Sequence, residues 1–133
     1  MNDDRLTLLA NDAADLPVLS ALMQDAIVRV GDIAWTPRAR QLVLLTSRYR
    51  WEMSENSRAR CAFRLESVLK MQRQHWPEDS NTALAILAIS TEANHITIAF
   101  AGGASLRAEV ECIDAVLEDV SPPWAVHHRP RHG

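Results

Sequence analysis

The side chains best suited to chemistry in this sequence are the arginines of its middle third. An arginine presents five N–H donors in a planar fork that matches the oxygens of a carboxylate or a phosphate. Arg48 and Arg50 alternate within a predicted strand, so their side chains should share one face of a sheet. Three more candidates for an anion-binding patch flank this pair: Arg38 and Arg40 in a predicted turn before it, and Arg64 in the segment after it.

Charge is distributed very unevenly along the chain. The 133 residues have a net charge of only -3, yet residues 33–74 hold nine basic and three acidic side chains, a local charge of +6. Residues 1–32 hold six acids and two bases, and residues 75–120 hold eight acids and one base. The basic middle predicts either a surface for an anionic partner or a solvated sheet face whose arginines pair with the acidic flanks.

The other reactive side chains form no pattern that indicates catalysis or metal binding. Cys61 and Cys112 lack the CxxC spacing of a zinc or redox site, and we expect both to be reduced, buried thiols. We expect His75 and His95 to be loop residues, and His127–His132 to lie in a loose tail. The sequence therefore predicts no catalytic residue, no metal ion and no cofactor, and it favours a protein that is not an enzyme.

Composition predicts one globular domain with an ordinary hydrophobic core. Hydrophobic residues make up 47% and charged residues 23% of the chain. We expect a single domain over residues 1–125 and a loose tail over 126–133. The polar start does not match a secretory signal, and the most apolar segment, Thr82–Ile89, is too short to span a membrane. These features predict a cytoplasmic protein with no membrane partner.

Hydrophobic periodicity predicts one early helix and a mostly antiparallel sheet. Leu16, Leu19, Leu22 and Met23 recur at helical spacing after Asp15, the expected N-cap. Alternation and short connections predict strands over residues 5–10, 26–35, 42–51, 83–90, 96–101 and 105–109, with a tight turn at Gly102-Gly103.

Two segments decide the fold class. Residues 60–74 favour a strand because alternation holds across most of the segment, although a helix remains the alternative. Apolar residues within Cys112–Val120 recur at helical spacing and predict a C-terminal helix. The expected fold class is therefore α+β, a mostly antiparallel sheet with an early helix and a C-terminal helix. This order of elements resembles a pleckstrin-homology-like split barrel, and a plain antiparallel α+β sandwich is the alternative.

Three stretches of the sequence resemble a known bacterial family. They are Leu19–Asp32, Phe100–Ile113 and Leu117–Trp124. Together they are similar to Domain of Unknown Function 2948, which is found mainly in alphaproteobacteria, and the similarity covers nearly the whole chain. The resemblance implies a small cytosolic bacterial protein, and it brings no activity or catalytic residue with it.

Binding is the function that the sequence favours. The leading hypothesis is a non-catalytic binding or protein-interaction module whose basic middle meets a protein partner or a second copy of the chain. The alternative is a binder of an anionic small molecule, or an enzyme, with a pocket on the sheet face that carries Arg48, Arg50 and Arg64. RNA binding through the same side chains is a third hypothesis, which the negative net charge disfavours.

Overall fold

The protein consists of eleven β-strands and one short α-helix over residues 5–127 and 129–130, the part of the chain that this computed structural model describes. The helix, α1, spans Leu16–Met23. The strands are β1 (Thr7–Ala10), β2 (Ile27–Arg29), β3 (Ile33–Thr36), β4 (Gln41–Tyr49), β5 (Ser57–Leu65), β6 (Val68–Gln74), β7 (Ala83–Glu92), β8 (His95–Phe100), β9 (Ser105–Val110), β10 (Ala115–Asp119) and β11 (Trp124–Ala125). No helix among the described residues has the length and apolar character needed to cross a membrane.

All strand pairs in the described residues are antiparallel and belong to one continuous sheet. Its strands follow the order β1-β10-β5-β4-β2-β7-β8-β9-β6, and β3 and β11 pair with β4 and β5 outside this path. Strand β2 connects the two halves of the sheet. Its Ile27 lies opposite Ser47 of β4 on one side and opposite Ala85 of β7 on the other.

The predicted α+β fold class is wrong, because the segment expected to form the C-terminal helix contains strand β10. This strand pairs with β1 on one side and with β5 on the other. Ala115, Leu117 and Asp119 are buried and alternate with the less buried Val116 and Glu118. In so short a segment the spacing of the apolar residues suits both the period of a helix and the alternation of a strand. The described chain is therefore largely β, without the terminal helix on which the comparison with a split barrel rested.

The ambiguous segment at residues 60–74 is β structure, as its alternation predicts, but it forms parts of two strands. Strand β5 ends at Leu65, and β6 begins at Val68. Between them Ser67 has a φ of +57°, a left-handed conformation that redirects the chain. The two strands then diverge, because β5 pairs with β4 and β10 whereas β6 pairs with β9.

The early helix and the glycine turn are confirmed. Asp15 occupies the N-cap position of α1, but its side chain makes no capping bond. The capping carboxylate is that of Asp12, which accepts hydrogen bonds from the amides of Ala14 and Asp15 in the turn just before the helix. Gly102 and Gly103 have φ values of +89° and +99°, which residues with side chains rarely adopt.

The two halves of the sheet enclose one hydrophobic core, which also takes up the apolar face of α1. Strand β6 is the last in the strand order, and the amide of its first residue, Val68, donates a hydrogen bond of 2.9 Å to the Arg40 carbonyl. This bond brings the start of β6 beside the turn that precedes β4. Strand β6 therefore returns towards β3, and an opening remains between these two strands.

Candidate functional site

The recess best suited to a ligand lies between the unpaired edges of β3 and β6. In the described part of the chain, β3 pairs only with β4, and β6 pairs only with β9. The cavity between them has a volume of about 320 Å³, which is in the size range of small-molecule sites. We call it the tryptophan cleft, and its lining consists of Val30, Ile33, Trp35, Leu42, Met71, Gln72, Arg73, Trp76 and Leu106.

Strand alternation turns Trp35 towards the cleft. Ile33 and Trp35 are two residues apart on β3 and are half-buried, whereas Ala34 between them is exposed. Trp35 lies opposite Leu42 of β4, whose side chain is fully buried. The indole of Trp35 therefore packs against the core while part of its surface stays open to the cleft.

A backbone turn and an aromatic contact position the second tryptophan. Strand β6 ends at Gln74, and His75 has a φ of +51°, in the left-handed region that costs a residue with a side chain about 1–2 kcal/mol. After this turn the ring of Trp76 meets the ring of Phe100 edge-on, with centroids 5.9 Å apart and an interplanar angle of 70°. Such edge-to-face contacts are favourable. The strained turn thus leads directly into a side chain that lines the cleft.

Two polar side chains lie at the β6 edge of the cleft. Arg73 is opposite the buried Leu106 of β9, so its side chain leaves the strand on the side of the core. Because β6 is the last strand of the sheet, Arg73 is exposed there. Its neighbour Gln72 supplies an amide that both donates and accepts hydrogen bonds. The cleft therefore combines aromatic and aliphatic surfaces with one guanidinium and one amide.

Among the arginines singled out from the sequence, Arg48 lies at the centre of a buried ion cluster. Its side chain is 0% exposed. Its Nε and Nη2 donate hydrogen bonds of 2.8 Å to the two carboxylate oxygens of Asp119. Its Nη1 and Nη2 also donate to the carboxylate of Glu52, at 2.9 and 2.7 Å. We call these three residues the Arg48 cluster; the fork of Arg48 is occupied by carboxylates of its own chain.

The carboxylates of the Arg48 cluster are held in their charged form. Burial alone would raise the pKa of Asp119 and of Glu52. The hydrogen bonds from Arg48, its positive charge and hydrogen bonds from backbone amides together outweigh burial, so both pKa values are lowered from their ordinary values. Burial opposes the charge of Arg48 as well, but the bonds to Glu52 and Asp119 raise its pKa. The charges of the Arg48 cluster are therefore paired with one another inside the protein.

Arg50 shares a face with Arg48, as the strand spacing predicts, but that face is the core. Side chains at alternate positions from Leu42 to Arg50 are all buried. Arg50 is 1% exposed, its Nη1 donates a 3.0 Å hydrogen bond to Ser57 Oγ, and it lies 3.8 Å from the carboxylate of Glu55. These two arginines are therefore inside the molecule and do not form a solvated patch.

The other three arginines of the predicted patch lie nearer the surface, two of them on one turn and the third on β5. Arg38 and Arg40 are exposed on the turn before β4, where Arg40 Nη1 is 3.3 Å from a carboxylate oxygen of Glu111. Arg64 Nε on β5 is 3.0 Å from a carboxylate oxygen of Glu66. None of the five predicted arginines lines the tryptophan cleft. The structure thus divides the predicted patch between the core and the surface, where Arg40 and Arg64 each face a carboxylate.

The two cysteines lie in opposite environments. Cys61 is buried, and burial raises the pKa of its thiol to about 12, so it is almost wholly protonated at neutral pH. Cys112 is exposed, which corrects the expectation that both thiols are buried. It precedes β10 instead of a helix.

The histidines are also spread over the molecule. His75 forms the turn before Trp76, whereas His95 begins β8 instead of lying in a loop. Within the predicted histidine tail, residues 128 and 131–133 lie outside the described residues. Over residues 5–127 and 129–130, no three His, Cys, Asp or Glu side chains are placed to hold a metal ion.

Sequence reasoning missed the residues of the tryptophan cleft. Trp76 and Arg73 belong to segments that had no predicted chemistry, and Trp35 lies at the end of a predicted strand. The sequence signal was a pair of tryptophans next to the ends of two strands. Its meaning depends on β3 and β6 lying side by side, which no local pattern indicates.

Comparison with known proteins identifies a family. A family model described as a protein of unknown function (DUF2948) matches residues 6–132, nearly the whole chain. No curated protein and no solved structure matches the sequence.

Proposed function

We propose that this chain, which belongs to the DUF2948 family of proteins of unknown function, binds a small molecule in the tryptophan cleft. The ligand has a flat apolar part that contacts the indole rings and one acidic group that Arg73 binds. The observation that carries the proposal is the presence of Trp35 and Trp76 in one open recess with a guanidinium at its edge.

The aromatic and aliphatic lining supplies the apolar part of the binding free energy. Trp35, Trp76 and Met71 are only partly buried by the core, so a ligand can cover their remaining surface. Each 100 Å² of apolar surface removed from water contributes about 2.5 kcal/mol. A flat aromatic ring system suits these surfaces because indole rings stack well on other rings.

Arg73 favours an acidic ligand. Its guanidinium donates paired, charge-assisted hydrogen bonds to a carboxylate, sulfonate or phosphate. Among the described residues, the lining of the cleft includes no Asp or Glu. An acidic ligand therefore meets Arg73 without competition from a carboxylate in the lining, whereas a cationic ligand would be repelled.

The same lining suits binding better than catalysis. Its described side chains are apolar apart from one amide and one guanidinium, and neither of these exchanges protons near neutral pH. This supports the non-catalytic binding module expected from the sequence. We place the module in the bacterial cytoplasm, which the free thiols of Cys61 and Cys112 support.

The proposal is tested with anilinonaphthalenesulfonate, an aromatic sulfonate that fluoresces in apolar sites. Trp35→Ala and Trp76→Ala should each weaken its binding by about tenfold, because each removes an aromatic contact. Arg73→Gln should weaken it several-fold because it removes the charge-assisted bond. Trp124→Ala is the matched control, since Trp124 is 41% exposed and lies outside the cleft.

Each variant is first checked for native circular dichroism and cooperative melting, because this dye also binds partly unfolded proteins. Anilinonaphthalene, which lacks the sulfonate, should bind the wild-type protein less tightly than the sulfonate does. The proposal is contradicted if Trp124→Ala weakens binding as much as the cleft variants. Equal affinity for the charged and uncharged dyes would contradict the role of Arg73.

A further inference from the structure

The outer face of strands β7, β8, β9 and β6 carries rows of polar side chains. Residues directly opposite one another on neighbouring strands share a face. The first row is Glu92, His95, Glu109 and Lys70, and the second is Ser90, Thr97, Arg107 and Gln72. The adjacent residues Leu106 and Ala108 are buried on the other face. These rows are therefore on the opposite side of the sheet from the apolar lining of the tryptophan cleft.

A groove with a volume of about 670 Å³ lies over these rows. Its lining consists of Gln72, Arg73, Gln74, Glu92, His95, Thr97, Ser105 and Arg107. The amides and hydroxyls among them both donate and accept hydrogen bonds. The groove therefore suits a ligand with many polar atoms, unlike the tryptophan cleft.

The groove has two arginines in its lining: Arg107 in the middle of the second row, and Arg73 on the edge strand β6. Arg107 lies between Thr97 of β8 and Gln72 of β6 in the second row. Within the part of the chain that the structure describes, Arg107 makes no ion pair and no side-chain hydrogen bond, whereas Arg40 and Arg48 each face a carboxylate. Its guanidinium is therefore available to an anion from outside the protein.

Three donors on three neighbouring strands suit a phosphate group. Thr97, Arg107 and Gln72 are directly opposite one another on three neighbouring strands and line the same groove, so their hydroxyl, guanidinium and amide are available to one ligand. A phosphate monoester has three terminal oxygens and can accept from all three donors, whereas a carboxylate has only two oxygens.

Two carboxylates in the neighbouring row restrict what else the ligand can carry. Glu92 and Glu109 lie on either side of His95. A carboxylate accepts hydrogen bonds from hydroxyl groups and repels a second anionic group. A long polyanion such as RNA would place further phosphates against these carboxylates, whereas a small molecule with one phosphate places its hydroxyls there.

We propose that this groove binds the phosphate ester of a small sugar. Arg107, Thr97 and Gln72 bind the phosphate, while Glu92 accepts hydrogen bonds from the sugar hydroxyls. The groove shares Gln72 and Arg73, at the β6 edge, with the tryptophan cleft, whereas its other lining residues and the ligand proposed for it are different.

The test is a titration of isotope-labelled protein with ribose 5-phosphate, followed by the amide signals of β6, β8 and β9. Ribose 5-phosphate should give saturable shifts and bind about tenfold more tightly than ribose, because ribose lacks the phosphate. Arg107→Gln should weaken binding of the ester by about tenfold. Arg38→Gln is the matched control, since Arg38 is exposed on the turn before β4 and outside the groove. Trp35→Ala should also leave binding of the ester unchanged.

Arg107 is exposed and makes no side-chain bond with any residue that the structure describes, so Arg107→Gln should keep the wild-type melting temperature. A loss of affinity in this variant then reports a lost ligand contact. The proposal is overturned if ribose 5-phosphate gives no saturable shift at about 10 mM, or if Arg38→Gln weakens binding as much as Arg107→Gln. It is also overturned if inorganic phosphate or a single-stranded oligonucleotide binds more tightly than the ester.

Discussion

Replacement of Asp119 by alanine measures how much the Arg48 cluster contributes to the stability of the fold. The change removes the acceptors of two hydrogen bonds of 2.8 Å from Arg48 and of one bond of 3.0 Å from the Leu6 amide. Arg48 stays buried with Glu52 as its remaining partner in the cluster. Removing one member of a buried ion pair costs about 3–5 kcal/mol. Domains of this size have unfolding free energies of about 5–15 kcal/mol, so the expected loss is a large fraction of the total.

Two further variants separate the cost of a broken pair from the value of an intact one. The triple variant Arg48→Met, Glu52→Gln, Asp119→Leu removes all three charges of the cluster, so it should recover most of the loss, to within about 1–2 kcal/mol of the wild type. Arg40→Gln is the control for a surface pair, because it breaks only the exposed contact with Glu111. It should cost no more than about 1 kcal/mol.

The pH dependence of stability provides a second measure of the Arg48 cluster. The pKa values of Asp119 and Glu52 are lowered in the folded protein, so their charged forms stabilise the fold at pH values above the unfolded pKa of about 4. This contribution is lost as the pH falls through the lowered folded pKa values. The unfolding free energy of the wild type should therefore decrease steeply below about pH 4, and that of Asp119→Ala more gradually.

The assay is urea unfolding, at neutral pH and in a series of acidic buffers, with the slopes compared between variants to confirm that each unfolds as one unit. The reasoning is refuted if Asp119→Ala loses less than about 1 kcal/mol at neutral pH, because a buried pair would then be worth no more than a surface one. If the unfolding free energies of Asp119→Ala and of the wild type fall in parallel as the pH is lowered, protonation of Asp119 does not contribute to the pH dependence of stability, and the reasoning is refuted.

Two further predictions concern a turn and the thiols. Ala93, in the connection between β7 and β8, has a φ of +53°, which a residue with a side chain adopts only at a cost. Ala93→Gly should therefore raise the unfolding free energy, measured with urea, by about 0.5–1 kcal/mol. A lower unfolding free energy in this variant would contradict backbone strain at Ala93. The exposed Cys112 should react with a disulfide reagent in the folded protein, whereas Cys61, with a pKa of about 12, should react only in denaturant. Cys112→Ser should abolish the fast reaction, and two fast thiols in the wild type would contradict the burial of Cys61.

Local patterns predicted the elements whose form depends on near neighbours. The apolar spacing of Leu16, Leu19 and Met23 was sufficient for α1, and alternation was sufficient to favour β structure at residues 60–74. The same method failed for β10 because a strand of five residues is too short to distinguish the two periods. Strand β10 pairs with β5, where Leu117 lies opposite Phe63, and a pattern of near neighbours does not indicate a contact between residues so far apart in the sequence.

The candidate sites depend on contacts between distant strands, which is why the sequence did not indicate them. Strand spacing placed Arg48 and Arg50 on one face, but it did not show that this face is the core. The partner that makes burial of Arg48 possible, Asp119, is 71 positions away. The sequence does not indicate a site at Arg107, which is the single base of an acidic segment. Its position between Thr97 and Gln72 follows only from the strand register.

The pairing of β1 with β10 has a consequence for synthesis of the protein on the ribosome. The Leu6 amide donates to the carboxylate of Asp119, 113 positions later, and β10 also covers one edge of β5. Because the N-terminal end of the chain leaves the ribosome first, β1 and that edge of β5 remain unpaired until Asp119 has been added and has also left the ribosome. Unpaired strand edges associate with other chains, and folds that rely on distant contacts form slowly. The nascent chain is therefore the stage at which this protein is most exposed to aggregation.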